Sequence, residues 1–166
     1  MPPEFVADAM LLKLARWLRI FGAKADYIPC SMQDSQVLKL ICERKNRGKI
    51  LLTQDVQLNE RAQLRGCDSF LVPREVTTEE QVAAVLKKFH LTLDDFPAKT
   101  LCPTCNGALR KAKKSEVKGK VHENVYAANR KFWLCEGCGK AYWEGSHWKR
   151  ISEAAQRVNS LLKENK

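Results

Sequence analysis

Lys49-Ile50-Leu51-Leu52-Thr53-Gln54-Asp55 reads as a strand buried on both faces that delivers a carboxylate at its end. An unbroken apolar run of this length, without alternation, is what a strand of a helix-covered parallel sheet carries. Gly48 breaks it from a helix expected over Ser35 to about Lys45. Upstream, Phe5-Val6-Ala7 is a second strand, followed by a helix over 9–21 with apolar Met10, Leu11, Leu14, Ala15, Leu18 and Phe21 at helical spacing. Gly22 is placed to end that helix, and a short extended piece lies around Tyr27-Ile28. Downstream come a helix near Asn59–Arg65 ending at Gly66, a strand Ser69-Phe70-Leu71-Val72 closed by Pro73, and a helix Glu79–Phe89. Thr77 or Thr78 caps the last of these, with Glu80 or Gln81 completing a capping box. Strands alternating with helices give an α/β fold, a parallel sheet with helices on both faces.

The chain has 166 residues, with 29 Lys+Arg against 19 Asp+Glu and a formal charge of +10. That length holds one or two small domains with an ordinary core. At 45% hydrophobic and 29% charged residues, the chain reads as globular, not disordered. No apolar run reaches the ~20 residues of a membrane span. The start lacks the basic and apolar regions of a signal peptide, so an intracellular, cytoplasmic location is expected. The basic excess makes nucleic acid the first partner to consider.

The charge divides unevenly. Residues 1–99 carry 15 Lys+Arg and 13 Asp+Glu, whereas residues 100–166 carry 14 and 6, so the second part holds a net +8. The seam falls near Leu91–Thr100, around Asp94, Asp95, Pro97 and Lys99. The expected division is an α/β domain over 1–95 and a second unit over 96–166.

That second unit is defined by Cys102-Pro-Thr-Cys105 and Cys135-Glu-Gly-Cys138. Each pair puts two thiolates on one tight knuckle, and four soft ligands suit tetrahedral zinc with no open coordination position. A structural zinc ribbon is expected, with Asn106-Gly107 and Gly139 supplying positive-φ turns. Phe132-Trp133-Leu134 and Ala141-Tyr142-Trp143 are its strand candidates. From about Lys149, the apolar positions Ile151, Ala154, Ala155, Val158, Leu161 and Leu162 predict an amphipathic C-terminal helix. The chain has seven cysteines, an odd count. With no signal peptide, this argues against a disulfide framework, and Cys30, Cys42 and Cys67 read as small buried side chains.

Between the knuckles lie Arg110, Lys111, Lys113, Lys114, Lys118, Lys120, Arg130 and Lys131, interleaved with Tyr126, Phe132 and Trp133. Cations mixed with aromatics suit single-stranded RNA, because phosphates meet the charges and bases stack on the rings. Trp143 and His147 are further candidates for base and phosphate contact. In the first unit, Asp8 follows the first strand and Asp55 follows the buried one. Sites in open parallel sheets form beyond the carboxyl ends of strands. Asp34 opens the second helix, as metal-site residue or as cap. Clustered carboxylates call for a cation, so the three together point to Mg or Mn and to phosphodiester hydrolysis. Lys13, Arg16 and Arg19 recur every three residues along the first helix and are candidates to hold a phosphate backbone.

Phe5-Val6-Ala7-Asp8-Ala9-Met10-Leu11, Lys13-Leu14-Ala15-Arg16-Trp17-Leu18-Arg19, the strand-end Thr53-Gln54-Asp55, the two Cys pairs and Tyr142-Trp143-Glu144-Gly145-Ser146-His147 carry a resemblance over about residues 4–150. The chain resembles the C-terminal PIN-like domain, with zinc ribbon, of the Mut-seven and Nibbler type 3'-5' exonucleases. The resemblance implies a PIN-like α/β sandwich fused to a zinc ribbon and acting on RNA, with Asp8, Asp34 and Asp55 as metal-binding acids. It also implies a fourth acid soon after Thr-x-Asp, where this chain has Val56, Gln57, Leu58 and Asn59 before Glu60. The expected function is a Mg- or Mn-dependent ribonuclease, part of a larger exonuclease in small-RNA processing. The alternatives are a non-catalytic RNA-binding module feeding a separate exonuclease domain, and a protein-docking domain in an RNA-silencing complex.

Overall fold

The structure, a computed structural model, describes residues 2–43, 48–96 and 100–164. The expected helix end at Lys45 and the seam residues Pro97 and Lys99 lie outside them. Four strands, β1 (Glu4–Ala7), β2 (Ala25–Tyr27), β3 (Lys49–Thr53) and β4 (Ser69–Leu71), form a sheet in the order β2-β1-β3-β4. All its pairings are parallel, with Ala7 opposite Tyr27 on one side and Leu52 on the other. The period-two alternation of strands sorts the core into two layers. Phe5, Ala7, Ile50 and Leu52 face α1 (Leu12–Ile20) and α4 (Thr78–Lys88), while Val6 and Leu51 face α2 (Asp34–Cys42) and α3 (Val56–Leu64).

The helix boundaries have local causes. A 3-10 turn, Ala9–Leu11, opens on Asp8 before α1 begins. Gly22 stops α1 at φ +90°, a conformation that favours glycine. Helix α3 starts earlier than the apolar spacing predicts, because the Asp55 carboxylate caps it by accepting from the Leu58 N–H at 2.9 Å. Thr77 caps α4 as expected, with Glu80 closing the box.

The second unit is a three-stranded antiparallel sheet of β5 (Leu109–Ala112), β6 (Phe132–Cys135) and β7 (Ala141–Trp143), in that order. The spacing of apolar residues did not reveal β5, whose sequence Leu-Arg-Lys-Ala is mostly polar and whose inner face is small. A short helix, α5 (Glu123–Ala128), lies between β5 and β6. The ribbon core is Val117, Phe132, Leu134 and Ala141. The final helix, α6 (Ser146–Lys163), starts three residues before the expected Lys149. Its Ala154 and Val158 enter the core layer shared with α4 and α1. The helix assigned to the second unit therefore packs on the first.

The reading of the three isolated cysteines as small buried side chains is corrected. Cys30 is exposed, and Cys42 and Cys67 form a disulfide with their Cα atoms 5.8 Å apart. Cys42 ends α2 and Cys67 leads into β4, so two positions 25 residues apart meet at the amino edge of the sheet.

Candidate metal centre and nucleic-acid interface

The two knuckles close on each other. The four Sγ atoms of Cys102, Cys105, Cys135 and Cys138 lie within 4.8 Å of one another. Cys105 and Cys135 are 3.3 Å apart and Cys102 and Cys138 3.7 Å. A tetrahedral zinc with Zn–S bonds of about 2.3 Å separates its sulfurs by about 3.8 Å, so the donor set fits structural zinc. Backbone turns shape both knuckles, through Cys102 N–H to Gly107 C=O at 2.8 Å and Cys135 N–H to Lys140 C=O at 3.0 Å. Asn106 and Gly139 take positive φ, as expected. Gly107 does not, and it is glycine for another reason: a Cβ there would sit 2.9 Å from the Cys135 Sγ.

The electrostatics of the cluster favour a cation. Burial pushes the Cys102 thiol up, but the Tyr142 hydroxyl and the Cys105 and Thr104 N–H groups outweigh it and hold Cys102 at about 6. The Cys105 thiol, sharing a hydrogen bond with Cys135, is pushed up to about 12. Four sulfurs this close cannot all ionise without a positive ion among them. Tyr142 Oη lies 3.0 Å from Cys102 Sγ, an outer contact that fixes the ligand's orientation.

The first knuckle is also bolted to the α/β unit. Arg19 is 5% exposed and donates through Nε to the Ala25 carbonyl at 2.6 Å. Its Nη1 donates to the carbonyls of Pro103 at 2.9 Å and Thr104 at 3.1 Å, inside the Cys-Pro-Thr-Cys knuckle. Burial lowers the Arg19 pKa, and Asp26 opposes that shift. Arg19, expected to hold a phosphate backbone, is therefore a buried clamp between the two units, and that expectation is corrected. Asn106 adds to the clamp, accepting from Ala25 N–H and donating to Asp26 Oδ1, both at 3.2 Å. These contacts cover β2, an edge strand. Helical spacing alone could not separate Arg19 from its exposed neighbours Lys13 and Arg16.

At the carboxyl edge of the parallel sheet, Asp8 and Asp55 follow the adjacent strands β1 and β3, on either side of the point where strand order reverses. Thr53 joins them: its hydroxyl donates to Asp8 Oδ2 and accepts from the Asp55 N–H at 3.0 Å. Asp8 Oδ1 accepts from the Met10 N–H at 3.0 Å, and the residue is 7% exposed. Asp34 stands apart, exposed at the start of α2 with its carboxylate 3.5 Å from Arg61 Nη1 of α3. Among the described residues, the cysteines form the one group of three or more potential ligands whose donor atoms converge, and the three aspartates form no second one. Mg is commonly held by one or two carboxylates together with substrate phosphates, and Asp8 and Asp55 offer the hard oxygens for that. One turn into α3, Asn59 is 8% exposed and its Oδ1 is the buried side-chain polar atom without a partner among the described residues. Sequence reading passed over Asn59 as a non-acidic position.

Apart from the buried Arg19 and the half-buried Lys114, the expected RNA contacts are exposed, but unequally free. Arg110 pairs with Glu116 at 2.7 Å, which holds that carboxyl down at about 2. Lys131 pairs with Glu144 at 3.2 Å, and Lys114 sits 4.7 Å over the Tyr126 ring. Lys111, Lys113 and Arg130 have no ion pair among the described residues, and His147 is exposed in the first turn of α6. The Trp143 indole lies against Gly145, where a Cβ would meet its Nε1 at 3.0 Å. The segment Tyr142–His147 thus has a structural account: Tyr142 on the Cys102 thiol, Trp143 on Gly145, Glu144 on Lys131, and the start of α6.

Among known proteins, neither a curated protein nor a solved structure matches the chain. The family model described as the Mut7-C RNAse domain matches residues 3–155. Its span takes in the parallel sheet, the Asp8–Thr53–Asp55 edge and the whole cysteine centre, and the chain belongs to the Mut7-C RNAse domain family.

Proposed function

We propose that this is an RNA-acting domain that hydrolyses phosphodiester bonds at the Asp8–Asp55 edge, with the zinc ribbon holding the RNA. The observation that carries this reading is that Asp8 and Asp55 follow adjacent strands at the reversal point of the sheet, with the Thr53 hydroxyl bridging the Asp8 carboxylate and the Asp55 backbone N–H, in a chain of an RNAse family. Asp8 and Asp55 would hold Mg or Mn, which when bound activates water and offsets phosphate charge. Thr53 and the Met10 N–H fix both oxygens of Asp8, so that its carboxylate is oriented before substrate arrives. The exposed Lys13 and Arg16 lie on the helix that follows Asp8 and would hold the RNA backbone. Lys111, Lys113 and Arg130 would add phosphate contacts on the ribbon.

A second reading, an RNA-binding module without catalysis, is favoured by the failure of Asp34, paired with Arg61, to converge with the other two acids among the described residues. A cleavage assay on RNA with Mn separates the two. The catalytic reading expects cleavage that disappears in Asp8→Asn and in Asp55→Asn while RNA affinity persists. Cleavage that survives both changes, or an unmodified protein that binds RNA without cutting it, rejects the catalytic reading.

A further inference from the structure

Trp133 and Trp148 stack with ring centroids 5.7 Å apart and planes 12° from parallel. Trp133 comes from β6. Its neighbours Phe132 and Leu134 point into the ribbon core, so Trp133 projects from the opposite face. Across the sheet, Lys111 of β5 and Tyr142 of β7 stand in register with it, making a row of cation, indole and phenol on one face. Trp148 comes from the first turn of α6 and caps that row. It is stacked on one side yet remains 45% exposed, so its other side is open.

A single exposed apolar residue needs no explanation, but a stacked tryptophan pair with a cation in register is an aromatic surface with room for an occupant. The surroundings say which kind. Lys111 is exposed with no ion pair among the described residues, and the exposed Lys149 and Arg150 follow Trp148 on α6, Lys149 in an ion pair with Glu153 at 4.0 Å. The cores of protein–protein interfaces are depleted in charge, whereas surfaces that meet nucleic acid are strongly positive. This aromatic face lies in the half of the chain that carries a net +8.

We propose that the Trp133–Trp148 stack is a base-stacking platform for single-stranded RNA, with Lys111 holding an adjacent phosphate. The proposal rests on the RNA-acting reading above and deepens it, by selecting strands with unpaired bases. A duplex buries its base faces within its own stack and leaves none to lie on Trp148. Trp148 joins Trp143, which sequence reading named for base contact and which stays 37% exposed beside Gly145, as an open aromatic of this unit.

The test compares an oligouridylate of about ten nucleotides with an abasic ribose-phosphate strand of the same length and an RNA duplex. The full chain should bind the base-bearing strand about tenfold more tightly than the abasic one, the scale of one base stacked on an aromatic ring. Trp148→Ala should erase that difference, and Trp148→Phe should keep most of it. One zinc per chain by elemental analysis shows that the ribbon is intact in each variant. Equal affinity for base-bearing and abasic strands, or a difference that survives Trp148→Ala, overturns the platform and leaves the RNA-acting reading standing. Duplex binding that is as tight and as sensitive to Trp148→Ala overturns the single-strand selection. No affinity for any of the three probes overturns both readings.

Discussion

In the α/β unit, aliphatic side chains cover both faces of a parallel sheet, and Phe5, Leu14, Leu18, Leu51 and Leu52 are fully buried. The ribbon has Val117, Phe132, Leu134 and Ala141 as its core, with four thiols beside them. A core that small does not hold three short strands without help, which is the regime in which metal binding becomes folding energy. One chain thus uses two solutions to one problem, and Arg19 joins them by spending its buried guanidinium on the knuckle carbonyls.

Metal removal should separate the two solutions most sharply. A structural zinc is worth on the order of 10 kcal/mol to a small domain. Chelation, or Cys105→Ser, is expected to abolish hydrogen-exchange protection in β5–β7 while β1 and β3 stay protected. Simultaneous loss of protection in both sheets would show that they fold as one unit. The converse cut is Leu52→Ala, at the centre of the parallel sheet. It should cost about 2–5 kcal/mol in urea unfolding, with one zinc per chain retained. Arg19→Ala tests the joint itself. It leaves the carbonyls of Ala25, Pro103 and Thr104 without their donor, at about 1–3 kcal/mol each fully desolvated group. Its mark should be a fall in sheet stability together with faster zinc loss to a chelator. The smallest effect belongs to Asp34→Asn, which removes an exposed ion pair with Arg61 and should change stability by less than about 1 kcal/mol. The same variant should leave RNA cleavage unchanged, and a loss as large as that of Asp8→Asn would restore Asp34 to the site.

The sequence made β1, β3 and β4 legible because each is a short apolar run bounded by a glycine, a proline or a cap, whereas β2, Ala25-Asp26-Tyr27, showed only as a short extended piece. The zinc centre was legible because two Cys-x-x-Cys spacings constrain chemistry more than conformation does. What stayed hidden shares one property: it depends on which neighbour a side chain finds. Arg19 has the same helical spacing as Lys13 and Arg16, and only the approach of the first knuckle buries it. Cys42 and Cys67 carry no spacing signal, since their meeting depends on two crossovers arriving at one edge of the sheet. Asp55 was read as a site residue and also turned out to start a helix, because a strand-end carboxylate at that position does both. Trp148 lies in the first turn of α6, ahead of the apolar spacing that begins at Ile151, so periodicity carries no signal for it.

The Cys42–Cys67 bridge gives the chain two populations of sulfur with opposite demands. Zinc ligation requires thiolates, which oxidants remove, whereas the bridge is opened by a sufficiently strong reductant. A purification buffer strong enough in reductant to open the tie between α2 and β4 leaves the cysteine centre its thiolates, and an oxidising one keeps the tie while endangering the centre. Unfolding curves recorded with and without reductant therefore belong to two different covalent species, and the Leu52→Ala comparison holds only within one of them.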